Sequence, residues 1–235
     1  SAAVLLVIPL AFMIKGAAGE HLSVSKDKRS LGEALSDARH HHGFWLLAIG
    51  FFTCGFQVQY INAHLPGYLQ DQGMEPIIAA TAISVIGVFN VMGTWLSGWL
   101  GGIYRKKYLL AMLYLGRSII FIVFLMVPLS PMSVYIFAAC IGTLWLATVP
   151  LTSGIVLGMF GTRYMATLYG IVFFFHQVGS FTSVYIGGIV RDMNGNYMTA
   201  WWIVIIGGTL ASFLHWPIDD RPVEDVLAEQ GIARA

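Results

Sequence analysis

The sequence has little charge. Asp, Glu, Lys and Arg make up only 11% of its residues, whereas a typical soluble domain carries about 25%. Hydrophobic residues reach 57% and the mean hydropathy is +0.73. Because so few charged side chains cannot cover a water-exposed surface of this size, we expect the lipid bilayer to face much of the chain. The net charge of +1 provides no basic patch, so we expect no nucleic-acid partner.

Cysteine is also scarce, and no metal or catalytic set stands out. We interpret Cys54 and Cys140, which lie inside long apolar runs, as small buried hydrophobic residues. The run His40, His41 and His42 has no well-spaced Cys or acid beside it, and three consecutive side chains point in different directions on a helix. We therefore expect no metal and no cofactor. The sequence has no phosphate-binding loop and no convincing nucleophile with a base, so we expect no enzyme.

Six stretches are long and apolar enough to cross a bilayer, which takes about 20 residues as a helix. They run continuously instead of alternating, so they predict helices and not barrel strands. The sequence predicts an all-α membrane protein with a six-helix transmembrane bundle over residues 44–217. The stretches are residues 44–66, 77–100, 108–127, 132–157, 166–190 and 199–217.

The remaining segments flank this bundle. Residues 2–14 are apolar but too short to span; they fit the end of a preceding transmembrane helix (residues 1–14) better than a signal-peptide core. Residues 15–43 form the longest polar stretch, in which residues 30–39 have the pattern of a short amphipathic helix. Residues 218–235 form a polar tail.

The basic residues predict the orientation. If residues 15–43 are cytoplasmic, one face carries eleven of the 13 Lys and Arg residues, the other carries only Arg191, and Arg117 lies within a span. This asymmetry follows the positive-inside rule and predicts a multi-pass inner-membrane protein with a cytoplasmic carboxyl terminus. Glycines four residues apart, Gly98 with Gly102 and Gly154 with Gly158, are typical of close helix packing in lipid.

The loop after the second span carries a family resemblance. Residues 98–107 read GWLGGIYRKK and resemble the loop signature of the major facilitator superfamily, which is Gly, three residues, Asp, a base, any residue, Gly and two bases. The matching positions are Gly98, Lys106 and Lys107. The departures are Gly102 in place of the acid, Ile103 in place of the first base, and Arg105 in place of the second Gly.

In the superfamily this loop is usually degenerate in the second half, so the resemblance implies a carboxyl-terminal six-helix half of a twelve-helix fold. Residues 15–43 would then be the central cytoplasmic loop, and the partner would be a missing amino-terminal half. The departures put in doubt the charge latch that the missing Asp would provide. Residues 43–66, 160–163 and 176–177 look like a bacterial branch close to the monocarboxylate transporters.

The resemblance implies a secondary active transporter, working as a symporter, that moves a small organic anion such as a monocarboxylate by alternating access. Animal monocarboxylate transporters carry an Asp and an Arg four residues apart in the second helix of this half. The corresponding residues here are Asn90 and Thr94, so recognition by that charged pair is not inherited. The alternatives are a non-transporting scaffold or receptor-like protein and, with less support, an intramembrane enzyme.

The candidate substrate-binding residues are the polar side chains at membrane depth. All 12 acids lie in loops or the tail, whereas Arg117 lies near mid-span. A guanidinium there can clamp a carboxylate or cap backbone carbonyls. His176 belongs to a polar and aromatic stripe, next to Gln177, and can carry a proton or bond across a helix interface.

The other candidates come from three further spans. The first span has a polar face that includes Gln57 and Tyr60, with Thr53 and His64, and the second has Asn90 and Thr94. Such faces point inward, either to a cavity or to another helix. Thr148 lies in the fourth span close to Pro150 and Thr152, where proline predicts a kink that is either a hinge or static.

Overall fold

The computed structural model describes residues 29–229 and residue 231, and this part of the chain is helical without strands. The helices are α1 (Leu31–His40), α2 (His42–Asp71), α3 (Pro76–Ile103), α4 (Lys106–Met126), α5 (Pro131–Leu144), α6 (Thr148–Phe160), α7 (Met165–Asn194), α8 (Met198–His215) and α9 (Val223–Glu229). The expected all-α fold is confirmed. The proposed helix end at residues 1–14 and most of the 15–43 loop lie outside the described residues.

Five of the six predicted spans each correspond to one helix, and the fourth corresponds to α5 and α6. In the part of the chain that the structure describes, five helical stretches are long and apolar enough to cross a membrane: α2, α3, α4, α8, and α5 together with α6. The sixth, α7, has 30 residues and the necessary length but is not among these five. It carries the polar side chains of the His176 region, which lower its hydropathy. The short helix expected at residues 30–39 is present as α1.

The helices pack through glycines other than those expected. A Cβ on Gly179 of α7 would meet the backbone of Phe52, and one on Gly55 of α2 would meet the carbonyl of His176. A Cβ on Gly142 would lie 2.8 Å from the Ile86 carbonyl oxygen. The backbones of α2 and α7, and of α3 and α5, are therefore in direct contact, as small residues allow in membranes.

The two glycine pairs expected to pack helices give a mixed result. Gly102 and Gly158 have open space where a Cβ would point, and Gly98 has only an ordinary contact with Pro150. A Cβ on Gly154 would lie 2.7 Å from the side chain of Lys106, at the start of α4. Of the four, only Gly154 is in close contact with a neighbouring helix, because the four-residue step alone does not say which face of a helix a neighbour covers.

The two ends of the bundle differ in charge. At one end, called here the basic end, Arg105 and Lys107 contact the segment after α8, and His41 before α2 lies against Phe160 at the end of α6. At the other, called the far end, Arg191 pairs with Asp71 at 3.2 Å. The signature loop and the start of α2 share one end, as the positive-inside argument requires. That the basic end is cytoplasmic stays a prediction.

An aromatic block fills the bundle near the far end. Trp201 of α8 is fully buried, and its ring contacts rings from three other helices. The rings around it belong to Tyr60, Tyr68, Phe121, Phe124 and Phe137. Aromatic pairs of this kind stabilise a core by about 0.5–1.5 kcal/mol each beyond their buried area. The block joins α2, α4, α5 and α8.

The tail supplies the acid that the loop signature lacks. Arg105 Nη2 lies 2.6 Å from Asp220 Oδ1, and the buried Lys107 donates from Nζ to the Ile218 carbonyl oxygen at 2.7 Å. The contact with Asp220 raises the pKa of Arg105. The signature loop between α3 and α4 is thus held by an ion pair, and the segment after α8 provides its carboxylate.

A second set of ion pairs holds α9. Arg221 donates to Asp219 at 2.7 Å and to Glu229 at 2.7 Å, and its hydrogen bond lowers the pKa of Asp219 to about 2. Because the folded pKa lies below the unfolded value of about 3.9, this contribution to stability is present above pH 4 and is lost as the pH falls through about 2.

We expect Arg221→Gln to increase deuterium uptake in the α9 segment at pH 7, because both ion pairs disappear. The difference from the wild type should narrow as the pH falls towards 2, after correction for intrinsic exchange rates. Hydrogen exchange with mass spectrometry measures both quantities. The pairs are half exposed, so we expect a small effect confined to α9. A difference that does not depend on pH would contradict this account.

Candidate functional site

The fourth predicted span is broken, not merely kinked. Helix α5 ends at Leu144 and α6 begins at Thr148, which leaves residues 145–147 outside both helices; we call these residues the α5/α6 break. Pro150 accounts for its position: a proline lacks the backbone N–H and its ring clashes with the carbonyl four residues earlier, here that of Leu146. The sequence interpretation, a kink that is either static or a hinge, placed the distortion at Pro150. In the structure the distortion lies in the preceding turn.

Arg117 of α4 reaches into this break. Its Nε donates to the Leu144 carbonyl oxygen at 3.0 Å and its Nη2 to the same oxygen at 2.6 Å, and Nη2 also donates to the Trp145 carbonyl oxygen. Its Nη1 lies 3.5 Å from Gln57 Oε1 and 3.5 Å from Cys54 Sγ. The side chain is thus bound to the free end of α5 and to two polar groups of α2.

Among the described residues, no carboxylate lies beside the charge of Arg117. Arg117 is 1% exposed, and it contacts two backbone carbonyls, the Gln57 amide, the Cys54 thiol and the Tyr114 ring at 5.5 Å. The carboxyl end of a helix carries partial negative charge, so the end of α5 takes the place of a counter-ion. Arg keeps its proton in proteins, so this site remains positive.

Helix α3 supports the break from another side. The backbone N–H of Leu146 donates to Asn90 Oδ1 at 3.0 Å, and Thr94 donates to the same oxygen at 3.3 Å. The buried Ser97 hydroxyl donates to the Ala147 carbonyl oxygen. Thr148, at the start of α6, is fully buried and lies 3.1 Å from Cys54 Sγ. Side chains of α3 and α4 therefore satisfy the backbone groups at the break, and Cys54 of α2 contacts the Thr148 side chain beside it.

His176 lies beside this network on α7. Its ring is 7% exposed and stacks on Phe173 with an interplanar angle of 6°. Its Nδ1 is 3.1 Å from Gln177 Oε1. Nε2 is buried and makes no hydrogen bond within the described residues, although the Cys54 thiol lies close by.

The polar face expected on α2 points to helices. Gln57 donates to the Val204 carbonyl oxygen at 3.3 Å, and His64 Nε2 lies 3.1 Å from the Val184 carbonyl oxygen. Tyr60 is 1% exposed and packs edge-on against Trp201. These residues point inward. Of the two predicted environments, a cavity or another helix, the structure shows another helix.

Sequence reasoning missed the polar residues that remain open on α2. Asn62 is exposed and Gln59 is half-buried, near the middle of this 30-residue helix. On the parallel α7, Gln177 is exposed and Ser180 half-buried at a similar depth. Amide side chains do not face hydrocarbon without a hydrogen-bond partner. Amides near the middle of a predicted span were therefore the sequence signal that could have identified these residues. These four polar side chains are at least partly exposed near the middle of the bundle.

The predicted residues thus fall into three groups. Gln57, Arg117 and Thr148 meet at the break, with His176 next to them through Cys54. Asn90 and Thr94 join the break from α3 and are half-buried. Tyr60 and the signature residues Gly98, Gly102, Arg105, Lys106 and Lys107 lie elsewhere, in the aromatic block and at the basic end. Of the cysteines, Cys54 is buried as expected, whereas Cys140 is exposed, contrary to expectation.

Comparison with known proteins provides independent evidence on the family of this chain. A profile of the Major Facilitator Superfamily matches residues 1–184. The chain is 30% identical over 198 residues to the uncharacterized MFS-type transporter YcxA of Bacillus subtilis (strain 168), covering 81% of this chain and 47% of that protein. It is 28% identical over 167 residues to monocarboxylate transporter 13 of Rattus norvegicus, covering 69% and 38%.

Monocarboxylate transporter 12 of Xenopus laevis is also 28% identical, over 168 residues that cover 67% of this chain and 35% of that protein. The chain spans less than half the length of these relatives, all of which are named as transporters and none as an enzyme. The family profile covers most of the chain and agrees with the helical bundle and the loop signature. This multi-pass membrane chain belongs to the major facilitator superfamily.

Proposed function

We propose that this chain forms one six-helix half of a secondary transporter that moves a small organic anion, such as a monocarboxylate, by alternating access. The partner is a second six-helix half, and the substrate binds between the two near mid-membrane, as in other secondary transporters. The location proposed is the inner membrane, with the basic end and the carboxyl terminus in the cytoplasm.

One observation carries this proposal. Away from the helix ends, Arg117 is the single Asp, Glu, Lys or Arg side chain in the described helices α2 to α8, and it is 1% exposed. A charge in a low-dielectric interior acts over a longer range than a charge in water. The permanent positive charge at the break therefore favours an anion at the neighbouring wall and disfavours a cation.

The wall offers neutral hydrogen-bonding groups for such a solute. We place Asn90 and Thr94 of α3 and Gln177 of α7 at the substrate, together with Gln59 and Asn62 of α2. All five are at least partly exposed in this half. Amides and hydroxyls both donate and accept, so they suit carboxylate oxygens as well as a hydroxyl or keto group. The monocarboxylate transporters among the relatives support the substrate class.

His176 is the proposed site of proton coupling in this half. Within the described helices no acid lies at membrane depth, and histidine is the side chain whose charge ordinarily changes between about pH 5 and pH 8. Its free Nε2 lies next to the buried charge of Arg117. A proton on His176 would add to the positive field that attracts the anion, which supports symport of a proton with the substrate.

Uptake into proteoliposomes that contain the full-length protein tests the function. We expect uptake of labelled lactate or pyruvate driven by an inward proton gradient, and much less uptake of lactamide, which has the same shape as lactate without its charge. A positive field explains the difference. Equal uptake of lactate and lactamide, or no uptake of any organic acid in a broad screen, would overturn the proposal.

A pair of arginine variants supplies the matched control. Arg117→Ala is expected to lower uptake by at least about tenfold, equivalent to about 1.4 kcal/mol, whereas Arg163→Ala should change it less than about twofold. Only the first charge lies at membrane depth; Arg163 lies in the turn between α6 and α7. Equal loss in both variants would remove Arg117 from the transport site.

A further inference from the structure

We propose that Arg117 is a positioning residue: its guanidinium fills a cation site at the α5/α6 break and fixes the angle between α5 and α6, and it leaves substrate contact to other side chains. The proposal rests on the transport function above and states how Arg117 contributes to that function. The charge attracts the anion through the field, while the N–H groups of Arg117 serve the helix break.

The hydrogen-bond inventory of Arg117 supports this assignment. A guanidinium has five N–H donors in a planar fork. Nε and Nη2 together make three contacts with the Leu144 and Trp145 carbonyl oxygens, and Nη1 faces the Gln57 amide oxygen and the Cys54 sulfur. Every donor thus has a partner within the protein. A carboxylate clamp would need two of them free.

The surroundings of the guanidinium have the chemistry of a cation site. Two backbone carbonyls at the end of α5 accept from Nη2, and the Gln57 side-chain carbonyl faces Nη1 at 3.5 Å, so three oxygens surround the buried guanidinium. In other transporters, carbonyls of unwound helices and the carboxyl ends of half-helices bind a coupling cation. Here the protein's own side chain occupies that position, because the planar fork can bind two neighbouring carbonyls at once.

The same break is fixed from the opposite side by α3. Ser97 is 5% exposed and donates to the Ala147 carbonyl oxygen, and Asn90 accepts from the Leu146 N–H. Arg117 therefore holds the end of α5 while α3 holds the residues that lead into α6. Because Pro150 prevents a continuous helix, these side chains determine how the two half-helices are oriented.

A positioning role predicts a specific kinetic pattern. If Arg117 orients α6, Arg117→Lys, which keeps the charge but loses the planar fork, lowers the turnover of transport while KM for the substrate changes less than about threefold. If Arg117 clamps the carboxylate, the same variant raises KM strongly. Ser97→Ala removes a contact with the break that carries no charge and faces no substrate, so it should lower turnover in the same way, by a smaller factor.

Hydrogen exchange tests the cation site without relying on transport. In the full-length protein, Arg117→Ala should increase deuterium uptake in peptides that span residues 141–152, because the Leu144 and Trp145 carbonyls lose their donors. Millimolar guanidinium chloride should reverse this increase by entering the vacated cage, whereas an equal concentration of potassium chloride should not. Arg163→Ala serves as a control without an effect on these peptides.

The outcomes separate this inference from the proposed function. Unchanged exchange at residues 141–152 in Arg117→Ala, or an increase that guanidinium does not reverse, would overturn the cation site whatever the protein transports. A large rise in KM with unchanged turnover would overturn the positioning role. If Arg117→Ala does not fold, Ser97→Ala provides the exchange and kinetic tests, and normal values for both would overturn the proposal. Absence of organic-anion uptake by the wild type overturns only the function.

Discussion

Gly179→Ala is expected to destabilise the bundle by about 3 kcal/mol, at the upper end of typical overpacking costs. A Cβ at this position would meet the Phe52 carbonyl and lie 3.2 Å from the Phe56 backbone nitrogen. Both neighbours are backbone atoms of α2, so no side chain can rotate away and the two helices would have to separate. Thermal or denaturant unfolding of the purified protein in detergent measures the loss.

Gly188→Ala in the same helix is the matched control. The space beside Gly188 is open to 4 Å, so the added methyl group meets nothing, and alanine favours the helix by about 0.5–1 kcal/mol over glycine. The two identical substitutions on α7 should therefore have opposite signs. Similar stability of both variants would show that α2 and α7 are not packed backbone to backbone.

His176→Ala is expected to flatten the pH dependence of uptake. In the wild type we expect uptake to rise as the pH falls between about 8 and 5, because protonation of the free Nε2 adds positive charge at the substrate wall. Without the imidazole, uptake at pH 5.5 should fall to about the level measured at pH 8, because no side chain at this wall then gains a proton. Initial rates in proteoliposomes across this pH range measure the effect.

His64→Gln is the control for the effect of removing a buried histidine. His64 lies in the neighbouring helix α2 and is 8% exposed, but its ring nitrogen faces the Val184 carbonyl oxygen. Glutamine preserves a donor for that oxygen, so the pH profile should keep its shape. A wild-type profile in His176→Ala, or equal flattening in both variants, would exclude His176 as the coupling group.

The fold follows closely from the sequence because a membrane leaves few choices. Backbone groups in hydrocarbon must be paired within the segment, so each long apolar run became a helix with ends within a few residues of those predicted. Residues 108–127, for example, correspond to Lys106–Met126. The exception is residues 132–157, where hydropathy gave no sign that the apolar run contains two helices.

The contacts of the polar residues on α2 could not be predicted in the same way. Gln57 and Gln59 have the same chemistry and lie two residues apart, yet the first donates to the Val204 carbonyl and the second is open. The rotation of α2 decides between them. That rotation depends on the close approach at Gly55, which is a property of two helices together and not of one segment.

The α5/α6 break shows a second reason why the site could not be predicted from the sequence. Pro150 indicated a distortion, but the residues that satisfy the backbone groups there come from α3 and α4, 27 or more positions earlier in the chain. Arg117 therefore remained ambiguous between a substrate clamp and a carbonyl cap. Its five donors and the direction of the free helix end became known only from the assembled bundle.

The aromatic block around Trp201 should make the far end of the bundle stiffer than the basic end. Its rings interlock four helices near the far end, whereas the discontinuity between α5 and α6 lies closer to the basic end. Loss of Arg117 should therefore leave the far-end portion fixed and allow α6 to swing beneath it. Spin labels on α6 of the Arg117→Ala variant would report a broader spread of distances to α8 than in the wild type, while a pair on α5 and α8 beside Trp201 would stay sharply defined.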